Sequence, residues 1–175
     1  SVKGKSIDDK EIERKINKEE PLSAFVFQTL AETHLGEVNL FKVYSGTFFS
    51  GSVVYNSTKN KEEKIGQIYL MQGNKRKEVP QILAGDIGAI TKLKNTDVGD
   101  TLCKKESLIK FPSPEIPELT TSIAIKTQKE KDEQKLSVAL AKLTKVDPFL
   151  KMKIDKEFGQ TILSGTGEMH LQIVI

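Results

Sequence analysis

The stretch DPFLKMKIDKEFGQTILSGTGEMHL, residues 147–171, decides the fold of the C-terminal part of the sequence. Residues 150–155 alternate apolar and polar side chains, which is typical of a strand with one buried face. Residues 156–159 form a turn with a glycine at its end, and a second β-type run over 160–163 completes a hairpin. The glycine-rich residues 165–167 come next and lead directly into an amphipathic pattern. The stretch therefore predicts strand, turn, strand, glycine turn and helix start.

The residues before this stretch predict one more strand and one more helix. Residues 121–126 alternate as a strand, and a helical spacing of apolar residues follows at Leu136, Ala139, Leu140 and Leu143. The resulting order is strand, helix, strand, strand and helix start, which is the ferredoxin-like order without its final strand. We therefore assign residues 111–175 to a truncated ferredoxin-like domain. Because that strand is lacking, we expect the edge at 121–126 to be exposed and to pair in a crystal or at high concentration.

A different pattern occupies residues 21–110, where short β-type runs alternate with turns and helical periodicity is absent. Regular short strands with Ser-Gly turns predict a closed β-barrel. The domain begins at Pro21 and ends before a cluster of three prolines at 112, 114 and 117, which cannot continue a ladder or a helix. Residues 1–20 are polar and densely charged, so we interpret them as a linker or the tail of a preceding domain. The predicted runs are 25–27, 38–44, 52–55, 65–70 and 87–90.

The composition allows an RNA partner without requiring one. The chain has 175 residues, a formal net charge of +3 and a pI near 8.8, with an excess of basic residues that is spread along the sequence. Cys103 is the only cysteine, which excludes an internal disulfide and suits a reducing compartment. No apolar run is long enough to span a membrane. We expect a cytoplasmic protein with no membrane partner.

Because the chain starts at Ser1 and stops on apolar residues, we also expect a fragment of something longer.

Two polar stretches interrupt the predicted barrel, at residues 56–64 and 73–78, and both carry several basic side chains. Solvated loop tips are the ordinary interpretation of such charges, and contact with RNA phosphates is the functional one. No aromatic set accompanies the charges, so the sequence gives little support for recognition of single-stranded bases. The candidate RNA contacts are Lys59, Lys61, Lys75, Arg76 and Lys77.

The sequence indicates no catalytic, cofactor-binding or metal-binding residue. A phosphate-cradling loop of the form G-x-x-x-x-G-K-[ST] does not occur. The turn at residues 165–167 is either a structural connection or a weak anion site. His34 and His170 are isolated from each other and from Cys103, so neither a metal site nor a nucleophile with its base is indicated. For His170 we weigh polar packing against contact with a further domain.

Several signatures, in this order, resemble the translation elongation factor G family of translational GTPases. The resemblance covers nearly the whole chain and is carried by Val2-Lys3-Gly4, Pro21-Leu22-Ser23-Ala24, Lys42-Val43-Tyr44-Ser45-Gly46, Ala84-Gly85-Asp86-Ile87, Gly99-Asp100-Thr101-Leu102-Cys103, Gly159-Gln160-Thr161-Ile162 and Ser164-Gly165-Thr166-Gly167-Glu168-Met169-His170-Leu171.

The resemblance implies a translation-factor β-barrel as second domain and a ferredoxin-like third domain. It also implies a longer parent whose preceding GTPase domain binds GTP and whose cycle moves tRNA and mRNA through the ribosome; this fragment itself would bind no GTP and would not be an enzyme. The barrel would contact ribosomal RNA, and the third domain a small-subunit protein and the GTPase domain. The surface implied to face the GTPase domain consists of Ser164, Gly165, Thr166, Gly167, Glu168 and His170.

Two alternatives stay open at this point. The form Gly-Thr-Gly-Glu-Met at 165–169 and the loop at 72–77 depart from the commonest elongation factor pattern, which would suit a paralogue that recycles or protects ribosomes. A stand-alone RNA-binding barrel module would also be compatible with the mild basic charge.

Overall fold

The computed structural model describes residues 1–6, 10–32, 36–73, 75–115, 117–127, 130–155 and 157–175. His34, one of the two histidines considered above, lies outside the described residues. The chain divides into two compact units, Ser1–Pro114 and Glu115–Ile175, each with its own core. Phe111, which we expected at the start of the second domain, is instead buried in the first unit.

The first unit consists of short antiparallel strands. They are β1 (Val2–Lys5), β2 (Glu11–Arg14), β3 (Ser23–Glu32), β4 (Gly36–Ser45), β5 (Thr47–Phe49), β6 (Val53–Asn56), β7 (Lys61–Lys64), β8 (Ile68–Gln72), β9 (Lys75–Val79), β10 (Gln81–Leu83), β11 (Ile87–Thr91) and β12 (Thr101–Cys103).

Eight of these strands form one curved sheet in the order β7-β6-β12-β3-β4-β11-β8-β9, and β5 pairs with β10 in a separate ribbon. Alternate residues of the strands point inward and are almost fully buried, as in Ala24 and Val26 of β3 and Phe41 and Val43 of β4. Residues from β6, β8 and the β5–β10 ribbon belong to the same cluster. The sheet therefore curls around a single core, which confirms the predicted β-barrel.

The two stretches predicted as polar loops contain strands, and this is a correction. Within 56–64, β7 pairs with β6, and within 73–78, β9 pairs with β8. Both are the outermost strands of the sheet order, and β9 keeps most of its side chains in solvent. A strand in that position is held by backbone hydrogen bonds and needs no apolar alternation, so its sequence looks like a solvated loop.

The interpretation of residues 1–20 as a linker differs from the structure, in which β1 and β2 form a hairpin that belongs to the first unit. Lys5 and Lys110 exchange two backbone hydrogen bonds of 2.8 Å, so residues near 110 extend this hairpin. The Arg14 side chain is buried and donates to the carbonyl oxygen of Pro21 and to both oxygens of Ser107. Those partners lie outside residues 1–20, so local composition could not indicate the hairpin.

The second unit contains β13 (Thr121–Ile125), a single 3-10 turn (Glu130–Asp132), α1 (Glu133–Val146), β14 (Lys151–Asp155), β15 (Gln160–Gly165) and α2 (Glu168–Val174). The three strands pair in the order β13-β15-β14, so β13 lies at an edge. Both helices contribute to the core, with Leu140 of α1 and Leu171 of α2 packed around Leu163 of β15. This is the predicted α+β order.

The glycines at two turns provide a sharp test of the barrel. Gly46 has φ +75°, and a Cβ atom there would lie 2.7 Å from the backbone of Glu20 and Leu22, whereas Gly51 has φ +73° with open space around it. We expect Gly51→Ala to cost about 1 kcal/mol for the left-handed backbone alone. Gly46→Ala should cost about 3 kcal/mol because the backbone collision is added.

Urea unfolding followed by tyrosine fluorescence would measure this difference. All three tyrosines, Tyr44, Tyr55 and Tyr69, lie in the first unit, so the signal reports the barrel alone. Equal shifts of the unfolding midpoint for the two variants would contradict the packing described for Gly46.

Candidate functional site

The β8–β9 hairpin positions three of the five cations predicted to contact RNA. Lys75, Arg76 and Lys77 are consecutive residues of β9, and all three are exposed. Because side chains alternate along a strand, Lys75 and Lys77 project from one face and Arg76 from the other. Arg76 Nη1 lies 3.4 Å from a carboxylate oxygen of Glu32. The hairpin therefore presents a pair of lysines on one face and a paired arginine on the opposite face.

The other two predicted cations lie at the β6–β7 turn and differ in their surroundings. Lys59 forms ion pairs with Asp97 and, at 3.3 Å, with Asp100, while Lys61 is exposed at the start of β7. Partial burial acts to lower the pKa of Lys59, but the hydrogen bond to Asp97 and the charges of both carboxylates outweigh it, so the pKa is raised. Lys59 is therefore already paired with two carboxylates of this protein. Lys61 is exposed to solvent at the end of the same turn.

A buried carboxylate that the sequence analysis missed fixes the loop beside this turn. Glu63 of β7 is only 2% exposed, and its two oxygens accept hydrogen bonds from the backbone N–H groups of Lys94 and Asn95 and from the hydroxyl of Thr96. Three bonds to one ionised acceptor explain how a charge is tolerated there. In the sequence Glu63 looks like one more charge in a solvated segment, and only its loop partners reveal its role.

Asp100 performs a similar task on the other side of the same loop. Its Oδ2 accepts from the Asn56 side-chain amide and from the Asp97 backbone N–H, each at 2.8 Å. The side-chain Oδ1 of Asn56 in turn accepts from the backbone N–H groups of Thr58 and Lys59. The β6–β7 turn and the loop before β12 are therefore locked to each other by buried polar contacts.

In the second unit, the six residues predicted as an interdomain surface do not share one face. Ser164 lies on the side of the sheet opposite the helices, where its hydroxyl is 2.7 Å from that of Ser122. Gly165 is buried, and a Cβ atom there would lie 2.8 Å from the Leu171 side chain. Thr166 and Glu168 are exposed and Gly167 is half-buried. Thr166 and Glu168 are thus the members of the set most available to a partner.

His170 is the residue that orders this turn. Its Nε2 is 2.8 Å from the carboxylate of Asp147, the residue that follows α1, and its Nδ1 accepts from the Thr166 backbone N–H at 3.4 Å. Because Nδ1 is an acceptor, Nε2 carries the hydrogen and donates to Asp147. His170 therefore connects the end of α1 to the glycine turn. From the sequence, polar packing and contact with a further domain were both open for His170, and Asp147 could not be named as its partner.

Cys103 is fully buried in a cluster beneath the β1–β2 hairpin. Burial raises the pKa of its thiol, against the smaller lowering effects of the Ile109 backbone and the Ser57 hydroxyl, so the reactive thiolate is disfavoured. Within the described ranges, no three His, Cys, Asp or Glu side chains are grouped so that they could hold a metal ion. Neither described helix is long and apolar enough to cross a membrane.

Comparison with known proteins assigns both units. A family described as elongation factor G domain 2 matches residues 21–105, and a family described as elongation factor G domain III matches residues 116–175. The structure is similar to a crystal structure of a protein from Thermus thermophilus, with a TM-score of 0.76 and 26% sequence identity over 89% of this chain. The chain corresponds to 24% of the length of that protein chain.

The barrel and the α+β unit are thus the second and third domains of a translation factor, in the order in which such factors carry them. The chain belongs to the elongation factor G family.

The buried carboxylate of the barrel can be tested against its exposed neighbour. We expect Glu63→Ala to lower the free energy of unfolding of the first unit by about 3 kcal/mol, because it leaves buried N–H groups without an acceptor. Glu62→Ala removes an exposed surface contact with Lys105 and should leave the unfolding midpoint nearly unchanged. Urea unfolding monitored by tyrosine fluorescence measures both, and a shift for Glu62→Ala as large as for Glu63→Ala would contradict this account.

The role of His170 predicts a local effect on the glycine turn. His170→Ala should accelerate hydrogen exchange of the Thr166 amide by about tenfold, since that amide loses its acceptor. Gln172→Ala, which alters an exposed contact on the same helix, is the matched control. Amide exchange by NMR provides the measurement, and unchanged Thr166 protection in His170→Ala would refute the role.

Proposed function

We propose that this chain supplies the ribosome-docking and interdomain-coupling parts of an elongation factor G-like translational GTPase. The full-length protein would promote GTP-dependent translocation on the ribosome in the cytoplasm. The observation that carries the proposal is the pair of family matches, domain 2 followed by domain III, over 21–105 and 116–175. GTP would bind in the GTPase domain of the parent, and this chain would contribute no catalytic residue.

The barrel would contact ribosomal RNA through its exposed cations. Lys61, Lys75 and Lys77 have side chains in solvent and are free to approach phosphate groups. Lys59 and Arg76 are already paired with carboxylates, so each would have to exchange a protein partner for a phosphate. The geometry therefore favours the three exposed lysines over the two paired cations within the predicted set.

The second unit would couple the nucleotide state to the barrel through its glycine turn. Thr166 and Glu168 are exposed beside a turn whose shape His170 and Asp147 hold through hydrogen bonds. A turn fixed in this way is a suitable contact for the GTPase domain of the parent, while the rest of the unit would meet a small-subunit protein. A small domain that changes its packing when the nucleotide changes is a common element of such switches.

Binding to isolated small ribosomal subunits tests the barrel part of the proposal. We expect Lys75→Gln/Lys77→Gln to weaken binding of this chain about tenfold at low salt and to reduce its salt dependence, because two phosphate contacts are lost. Lys10→Gln/Lys15→Gln has the same change in charge at exposed positions outside the β8–β9 hairpin and serves as the control. Co-sedimentation at several salt concentrations gives the affinities, and equal losses in both variants would contradict a specific contact.

A further inference from the structure

Among the described residues of the second unit, none forms a layer over one face of the sheet. Both helices pack on the face that carries Ile123, Met152 and Leu163. The opposite face follows from the pairing register, in which Ser122, Ser164 and Lys151 form one row across the three strands, and Ala124, Ile162 and Lys153 form the next. Three short side chains and Ile162 on β13 and β15 thus lie beside two long cationic side chains on β14. We call this surface the open face.

The open face is positively charged along β14. Lys151 and Lys153 are both exposed, and alternation places them on the same side, roughly 7 Å apart along the strand. In the described part of the unit, neither lysine forms an ion pair. Asp155 lies on the same side, but its Oδ1 already accepts from the N–H groups of Glu157 and Phe158. The two lysines outnumber the single carboxylate of Asp155, so this face of β14 carries a net positive charge.

Exposed aromatic residues lie beyond both ends of this basic strand. Phe149, two residues before Lys151, is 39% exposed, and Phe158, in the turn after β14, is 71% exposed. Neither phenylalanine is part of the core cluster of the unit. Two exposed aromatic side chains therefore flank the lysines of β14 in the sequence.

We propose that the open face binds single-stranded RNA, with Lys151 and Lys153 contacting phosphates and Phe158 stacking on a base. Cations that follow a backbone, combined with aromatic side chains on which bases stack, are the general means by which proteins bind single strands. The choice of RNA as the nucleic acid rests on the proposed ribosomal function, while the site itself is separate from the lysines of the barrel.

Charge and shape favour RNA over an acidic protein surface as the occupant. The carboxylates of an acidic peptide would pair with the lysines, but they would make no specific contact with the exposed ring of Phe158. Single-stranded RNA uses both, because each nucleotide offers a phosphate and a π-face. On this face the side chains of Ser122, Ala124 and Ser164 are short, and Ile162 is the larger apolar side chain among them, so a nucleotide strand could lie across this part of the sheet.

The lysines are tested with a fluorescein-labelled 12-nucleotide oligouridine and the 175-residue chain, by fluorescence anisotropy at several salt concentrations. We expect Lys151→Gln/Lys153→Gln to weaken binding about tenfold and to reduce the slope of log K against log salt by about 1.4, since each lost phosphate contact contributes about 0.7. Lys131→Gln/Lys142→Gln makes the same charge change in the helical layer of the same unit. This control should retain the parental affinity and slope.

Stacking is tested separately, because it affects affinity without altering the salt dependence. Phe158→Ala should weaken binding of the same oligonucleotide about tenfold at an unchanged slope, and Phe158→Tyr should restore the affinity. Phe158 is exposed and outside the core, so circular dichroism of the variant should match that of the parent.

The outcomes separate this inference from the function proposed above. Parental binding by Lys151→Gln/Lys153→Gln, or an equal loss in the helical-layer control, overturns the inference. If Lys75→Gln/Lys77→Gln alone abolished oligouridine binding, the barrel proposal would stand and the open face would be rejected. Competition by polyglutamate that depends on Lys151 and Lys153, with no RNA effect, would assign the face to an acidic protein and would also overturn the inference.

Discussion

The barrel depends on two aromatic rings that meet at its centre. Phe41 of β4 and Phe48 of β5 are fully buried, with ring centroids 4.6 Å apart. Gly88 of β11 makes this contact possible, because a Cβ atom at that position would lie 2.6 Å from the Phe41 ring and 2.0 Å from Ile82. The main sheet and the β5–β10 ribbon are thus joined by dense packing rather than by backbone pairing. Because the tightly packed core holds the barrel together, the outer strands can have charged side chains.

The elements that bury an apolar face could be predicted from the sequence, and those without an apolar face could not. Residues 38–44, 121–126 and the helical spacing around Leu140 all show the periodicity of the face that they bury, and the structure contains the corresponding elements. β7 and β9 lack such a pattern because they are held at the ends of the sheet by backbone hydrogen bonds. For the same reason Lys61, Lys75 and Lys77 were expected on loops, whereas they lie on strands.

The roles of single side chains in the candidate site were also only partly predictable from the sequence. Residue types and positions predicted the glycine turn, and the family resemblance implied that residues 164–168 and His170 face another domain, which stays a prediction. The hydrogen bond from His170 to Asp147 spans 23 residues, and those of Glu63 span more than 30. Partners that distant are brought together only by the complete fold, so the sequence could not distinguish a buried carboxylate from a solvated one.

The ion pairs of Lys59 bear on how selective this surface is toward nucleic acid. The counterions released on binding come from the phosphate backbone of the nucleic acid, and a lysine whose charge is already offset by Asp97 and Asp100 would neutralise less of that backbone and displace fewer of them. The two carboxylates left behind would repel the same backbone. The positive charge of Lys59 is therefore offset within the protein itself, and the β6–β7 turn attracts a polyanion less strongly than its number of lysines suggests.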